Sequence, residues 1–234
     1  MTPLTKASLI TADDLGASPA ANSAILTLVA QHKVDRVGVM IRGTISPEEI
    51  VLLKNANIKI DIHLDIPSLH YTLKLHDKTM RRGYRFLFHL LCGHISPQKI
   101  AKEWESQITL FHEKFGTIPN GISSHEHTHL FPPYFRISCM LAQKHHIPFV
   151  RCGTHGPAPR TSLISMILSI LHICNKRILR SFPTLSTTRY MTSLDWITPK
   201  DLPTILRTTK TELLCHPERA EEYGIITKIN ELKN

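Results

Sequence analysis

Four short stretches of the sequence concentrate residues able to do chemistry, and each sits at the end of an apolar run. The first is Asp13-Asp14, which closes the run Ser8 to Thr11. Two adjacent carboxylates at a strand terminus are costly to bury unpaired, and a metal ion or a proton-transfer role relieves that cost; an Asp helix cap is the plainer reading. The second is Ile60-Asp61-Ile62-His63-Leu64-Asp65-Ile66, whose strict alternation puts the isoleucines and Leu64 on one strand face and Asp61, His63 and Asp65 on the other. That polar row either faces water or shares a buried site. The third is Ser123-Ser124-His125-Glu126-His127-Thr128-His129, in which a period of two carries three imidazoles to one side of a strand or its exit loop. Imidazole is the commonest biological metal ligand, and a row of such rings is rarer in cores than a lone one. The fourth is Glu212-Leu213-Leu214-Cys215-His216-Pro217, an apolar strand that delivers His216 to its end before a proline that cannot continue the ladder. His216 there is placed either as a general acid or as a surface residue.

Arg151, after a short apolar run, either orients a substrate carbonyl or pairs with a carboxylate. His125-Glu126-His127-Thr128-His129 has the letters of the zincin H-E-x-x-H motif, but that motif needs a helix and this stretch reads as a strand or its exit loop; Ser123 and Ser124 lack a G-x-S-x-G context, and Cys215 and His216 point to opposite faces of a strand. Serine and thiol nucleophiles are thereby disfavoured.

The elements that must position these residues alternate. Strands are predicted at 8–11, 34–41, 58–66, 121–130, 149–151 and 211–215, and helices at 21–30, 46–55, 97–115, 132–145 and 202–209. Ser46-Pro47 and Ser96-Pro97 open two of the helices and Gly116 ends one. Such alternation implies a mostly parallel α/β sheet, open or closed into a barrel, with its site at the carboxyl ends of the strands. One domain over residues 1–234 is expected, with insertions near 67–93 and 154–195.

Composition narrows the function classes. An apolar fraction of 42% and a charged fraction of 20% describe a globular chain with a packed core. The 28 Lys and Arg against 19 Asp and Glu give a formal charge of +9, but the basic residues read as scattered apart from the stretch 74–85, so no nucleic-acid partner is expected. The N-terminus lacks a secretory pattern, and the longest apolar stretch, 163–173, is too short to span a membrane. It reads as a buried or partner-facing helix, which allows a homo-oligomer such as a dimer. Five dispersed cysteines without a C-x-x-C pair suggest reduced thiols and a cytoplasmic protein.

Taken in order, TADDLGASPAANSAI, DIHLDI, SSHEHTHLFP and ELLCHPE resemble the four signature blocks of the YdjC/ChbG carbohydrate deacetylase family, from about Ile10 to Pro217. The resemblance implies a distorted, partly incomplete (β/α) barrel and hydrolytic removal of N-acetyl groups from amino-sugar oligosaccharides, by a water activated at one divalent ion. It places metal ligands at Asp14, His63 and His125, a general base at Asp13 and a general acid at His216; His127 and His129 would then be outer partners of the ligands or sugar contacts, although spacing alone leaves either open as a ligand, and Arg151 stands beside them as a candidate substrate contact. Magnesium or zinc is implied, and manganese, cobalt or nickel suits the same donors. Leu15 stands where Phe is usual, Asp61 where Gly is usual and Glu126 where Gln is common. A metal-dependent amidohydrolase or phosphoesterase of other specificity, or a non-catalytic basic binding module, is the alternative from another class.

Overall fold

A computed structural model describes residues 8–66, 88–89, 92–155, 163–198 and 200–229. The basic stretch 74–85, and most of the expected insertion at 67–93, lie outside the described residues.

The predicted alternation is present. In chain order the elements are β1 (Ser8–Leu15), α1 (Pro19–Ala30), β2 (Arg36–Val39), α2 (Pro47–Asn55), β3 (Lys59–Leu64), α3 (Pro97–Phe115), β4 (Ile122–Ser124), a 3-10 segment (His125–Leu130) and α4 (Pro132–Lys144). There follow β5 (Thr154–His155), α5 (Leu163–Leu179), β6 (Tyr190–Ser193), α6 (Leu202–Arg207), β7 (Thr211–Cys215) and α7 (Ala220–Thr227). Helix starts follow the sequence signals. Ser46 and Glu49 form a reciprocal capping box on α2, Ser96 caps α3 ahead of Pro97, and Gly116 ends α3 in the left-handed region at φ 68°.

The seven strands form one sheet in the order β4-β3-β2-β1-β7-β6-β5, and every pairing is parallel. Parallel bridges Ile122–Val150 and Phe149–Ser186 lay the chain just ahead of β5 between β4 and the approach to β6. The two edges of the sheet therefore meet through single bridges rather than a full ladder, giving the distorted, partly incomplete (β/α) barrel. Two expectations are corrected here. The 154–195 stretch is not an insertion: it supplies β5, α5 and β6, and its short strands carry too little alternation to be read from sequence. The 149–151 strand reduces to isolated bridges.

The core is continuous under the helices, with Trp104, Phe111, Phe115, Tyr134 and Phe135 buried at its wide side. Helix α3 also fastens the end of β3. Trp104 Nε1 and Gln107 Nε2 each donate to the Asp65 carbonyl at 3.0 Å, and Asp65 N donates to Gln107 Oε1 at 3.0 Å. A strand end that carries functional side chains is thereby held rigidly.

Candidate metal centre and its buried ion pairs

Asp13 and Asp14 are neighbours on β1, and a regular strand would point them to opposite faces. A register shift between Ala12 and Leu15, with Asp14 in the left-handed region at φ 72°, re-aims the chain so that both carboxylates are buried. Asn22 supports the bend by accepting from Gly16 N at 2.6 Å.

Strand β2 lies between β1 and β3, and at its centre is Gly38. A Cβ there would come within 2.5 Å of Asp13 Oδ1 and 3.2 Å of His63 Nδ1. The bare backbone lets the two side chains approach each other across β2. Sequence reasoning missed this residue, although a lone glycine inside the apolar run Val-Gly-Val was its signal.

The polar row of β3 is fully internal: Asp61 is 0%, His63 2% and Asp65 8% exposed, which removes the reading of a row facing water. His63 Nδ1 lies 2.8 Å from Ser123 Oγ, and His63 Nε2 lies 3.3 Å from Asp14 Oδ1. With Nδ1–H donated to Ser123, the Nε2 lone pair faces Asp14, the tautomer a metal ligand needs. Asp61 serves a different end. It accepts two hydrogen bonds from Arg36, at 2.7 and 2.6 Å, and Arg36 stacks over Phe149 at 4.2 Å. The buried Asp61 carboxylate therefore comes with its own counter-charge.

The expected strand over 121–130 is corrected. It ends at Ser124, and Glu126 (φ 55°) and His127 (φ 56°) adopt left-handed backbone inside the 3-10 segment. Loss of the strand ends the period of two, so the three imidazoles go to three environments. His125 Nδ1 meets Asp14 Oδ1 at 2.8 Å. His127 turns edge-on to Trp196, with ring centroids 5.3 Å apart, and its Nδ1 is buried without a hydrogen-bond partner among the described residues. Burial, reinforced by the Arg151 charge, pushes its pKa down to about 3 and keeps the ring neutral. His129 is fully buried with both nitrogens engaged. Nε2 donates to the Arg151 carbonyl at 3.0 Å, and Nδ1 accepts from Ser124 Oγ at 2.7 Å.

Arg151, also fully buried, pairs with carboxylates, the second of its two sequence readings. Its Nη1 and Nη2 donate to Asp13 at 2.7 and 3.0 Å, and its Nε donates to Glu212 Oε1 at 2.9 Å. Thr11 Oγ1 donates to the same Glu212 oxygen at 2.9 Å. Burial alone would raise the Asp13 carboxyl, but the Arg151 guanidinium, with His63 and His216, outweighs it and brings the pKa to about 2. Asp13 is therefore an oriented, ionised carboxylate. Glu212, in the predicted strand 211–215, was missed as a positioning group because nothing local shows that its partner lies 61 residues away.

At the end of β7, His216 N donates to Glu222 Oε2 at 2.7 Å, and its Nδ1 lies 3.5 Å from the same oxygen. Burial opposes the imidazolium, but the Glu222 carboxylate, followed by Asp14 and Asp13, raises the His216 pKa above the ordinary histidine value. Arg219 Nη1 holds the other Glu222 oxygen at 2.7 Å. Helix α7, which carries Glu222, was not predicted from sequence.

Asp14, His63 and His125 each offer one ligand atom, and these atoms all lie within 4.8 Å of one another, an arrangement able to hold a metal ion. Ligands about 2.1 Å from one ion sit roughly 3–4 Å apart; the 3.3 Å separation of His63 from Asp14 falls in that range, and the 2.8 Å separation of His125 from Asp14 is a hydrogen bond slightly shorter than it. One carboxylate and two imidazoles also leave coordination positions open, as catalytic sites require.

Comparisons with known proteins identify the family. The family described as YdjC-like protein matches residues 9–232, and the chain belongs to it. A carbohydrate deacetylase of Xenopus laevis is 24% identical over 152 residues, 61% of this chain and 49% of that protein. A carbohydrate deacetylase of Halalkalibacterium halodurans is 34% identical over 74 residues, 32% of this chain and 30% of that protein. The chain thus spans about half the length, or less, of these relatives. A solved structure from Enterococcus faecalis V583, described as a cellobiose-phosphate cleavage protein, superposes with a TM-score of 0.64 at 16% identity, over 96% of this chain and 92% of that one. This last likeness shows the fold.

Proposed function

We propose that the protein is a metal-dependent carbohydrate deacetylase that hydrolyses the N-acetyl group of an amino-sugar oligosaccharide. The observation that carries the reading is the convergence of Asp14, His63 and His125 beside an ionised Asp13, all at the carboxyl ends of barrel strands. The family and the names of the two relatives support the substrate class.

A divalent ion held by Asp14, His63 and His125, magnesium or zinc above the other candidates, would supply Lewis-acid polarisation of the acetamide carbonyl and a more acidic water. Asp13, oriented by the Arg151 fork, takes a proton from the attacking water. His216, favoured as imidazolium by Glu222, gives a proton to the departing sugar nitrogen, so the products are acetate and a free amine. His127, whose Nδ1 is buried without a partner among the described residues, is the sugar contact in this reading. His129 and Arg151 act from behind it, one holding the turn and the other holding Asp13. No helix among the described residues is long and apolar enough to cross a membrane, and the unpaired cysteines suit the cytoplasm.

Acetate release from N,N'-diacetylchitobiose tests the reading. Metal-loaded protein should release acetate, and chelated protein and His125→Ala should not. Failure of the loaded protein on a range of N-acetylated sugars, with phosphate esters cleaved instead, would overturn it.

A further inference from the structure

The positive charge of the chain is concentrated, not scattered. Residues 127–194 contain no Asp or Glu and hold eight Lys and Arg, so nearly the whole formal charge of +9 arises there, although Arg151 is buried against Asp13 and Glu212 and Lys144 pairs with Glu105. This segment includes the adjacent, mutually packed helices α4 and α5.

The outer face of these helices is unusual in a second way. Ile167 is 45%, Ile170 55% and Ile173 61% exposed on α5, and Met140 is 55% exposed on α4. Further along, Lys176 and Arg177 in the last turn of α5 and Arg180 just beyond it are exposed cations at helical spacing from these isoleucines. Apolar side chains at helical spacing beside a basic cluster, on a helix without an acidic residue, form the amphipathic pattern that seats a helix at a lipid interface. Duplex DNA would use the cations but gains nothing from four exposed apolar side chains. A second copy would use the apolar side chains but, packed α5 to α5, meets only more positive charge.

We propose that the α4–α5 face docks on an anionic lipid bilayer, with Ile167, Ile170 and Ile173 entering the interface and Lys176, Arg177 and Arg180 meeting the headgroups. The contact is peripheral and salt-sensitive, because each cation near the surface adds attraction that fades within a Debye length.

Cosedimentation with vesicles tests this independently of any enzymatic reading. The full chain should pellet with phosphatidylcholine vesicles containing about a third phosphatidylglycerol, and not with phosphatidylcholine alone. Ile170→Asp with Ile173→Asp, and separately Lys176→Gln with Arg177→Gln and Arg180→Gln, should each weaken binding by about tenfold or more at an unchanged unfolding midpoint. Absence of vesicle binding by the parent overturns the proposal, and so does parent-like binding by the Ile170/Ile173 variant. A dimer in light scattering that the isoleucine changes dissolve would assign the face to a second copy, and retention on duplex DNA but not vesicles would assign it to nucleic acid. Either result also overturns the proposal.

Discussion

β3 and the segment after β4 carry the same sequence pattern, polar residues at every second position, and fold to opposite results. In β3 the ladder persists through Leu64, paired with β2 as far as Ile62 and with β4 from Ile62 to Leu64, so Asp61 and His63 stay on one interior face. After β4 the ladder stops at Ser124, and left-handed Glu126 and His127 send His125 to Asp14 in the proposed metal centre, His127 to Trp196 and His129 into the core. Alternation in sequence becomes alternation in space only where inter-strand hydrogen bonds hold the chain extended. In the second segment, backbone torsion chooses which imidazole meets Asp14.

The largest effect separating the two regions is expected at Asp61. Asp61→Ala leaves the buried Arg36 guanidinium uncompensated and should cost about 3–5 kcal/mol in urea unfolding. A cost below about 1 kcal/mol, the range of an exposed pair, would show that water reaches Arg36. His129→Leu removes the ring between Ser124 and the Arg151 carbonyl and should cost about 1–3 kcal/mol with metal affinity unchanged. Loss of metal binding in that variant would place His129 in the centre instead. Glu126→Gly should stabilise the protein by about 1 kcal/mol in thermal unfolding, because glycine enters the left-handed region without strain. A destabilised variant would mean that the turn is held by the Glu126 side chain.

A third strand end, β7, extends the comparison to proton chemistry. The raised His216 favours its charged form, so the stability it lends is fully present below pH about 6.5, the unfolded histidine value, and is lost as pH rises through the folded one. Glu222→Gln removes the principal group opposing burial. The alkaline limb of the activity profile should then move to lower pH, and a profile superimposable on the parent's would remove Glu222 from the mechanism.

The legible parts of the sequence were those where local and long-range signals agree. Pro97 to Gly116 announces α3 by its caps and apolar spacing, and the four polar blocks mark the strand ends that build the site. Illegible parts depend on partners distant in sequence. Glu212 reads as an ordinary polar residue, and Arg151 keeps two open readings, until β7 and the chain ahead of β5 place them together, and Gly38 gains its meaning only from side chains on two neighbouring strands. β5, only two residues long, is defined by its neighbours rather than its composition.

Metal stoichiometry tests the account most directly. In equilibrium dialysis against zinc, the parent should bind one ion. His63→Ala and His125→Ala should each weaken binding more than about 100-fold, beyond the effect of losing an outer partner. His127→Ala and His129→Leu should bind like the parent. Equal losses across His125, His127 and His129 would contradict the account, because they would mean that the three imidazoles share one face after all.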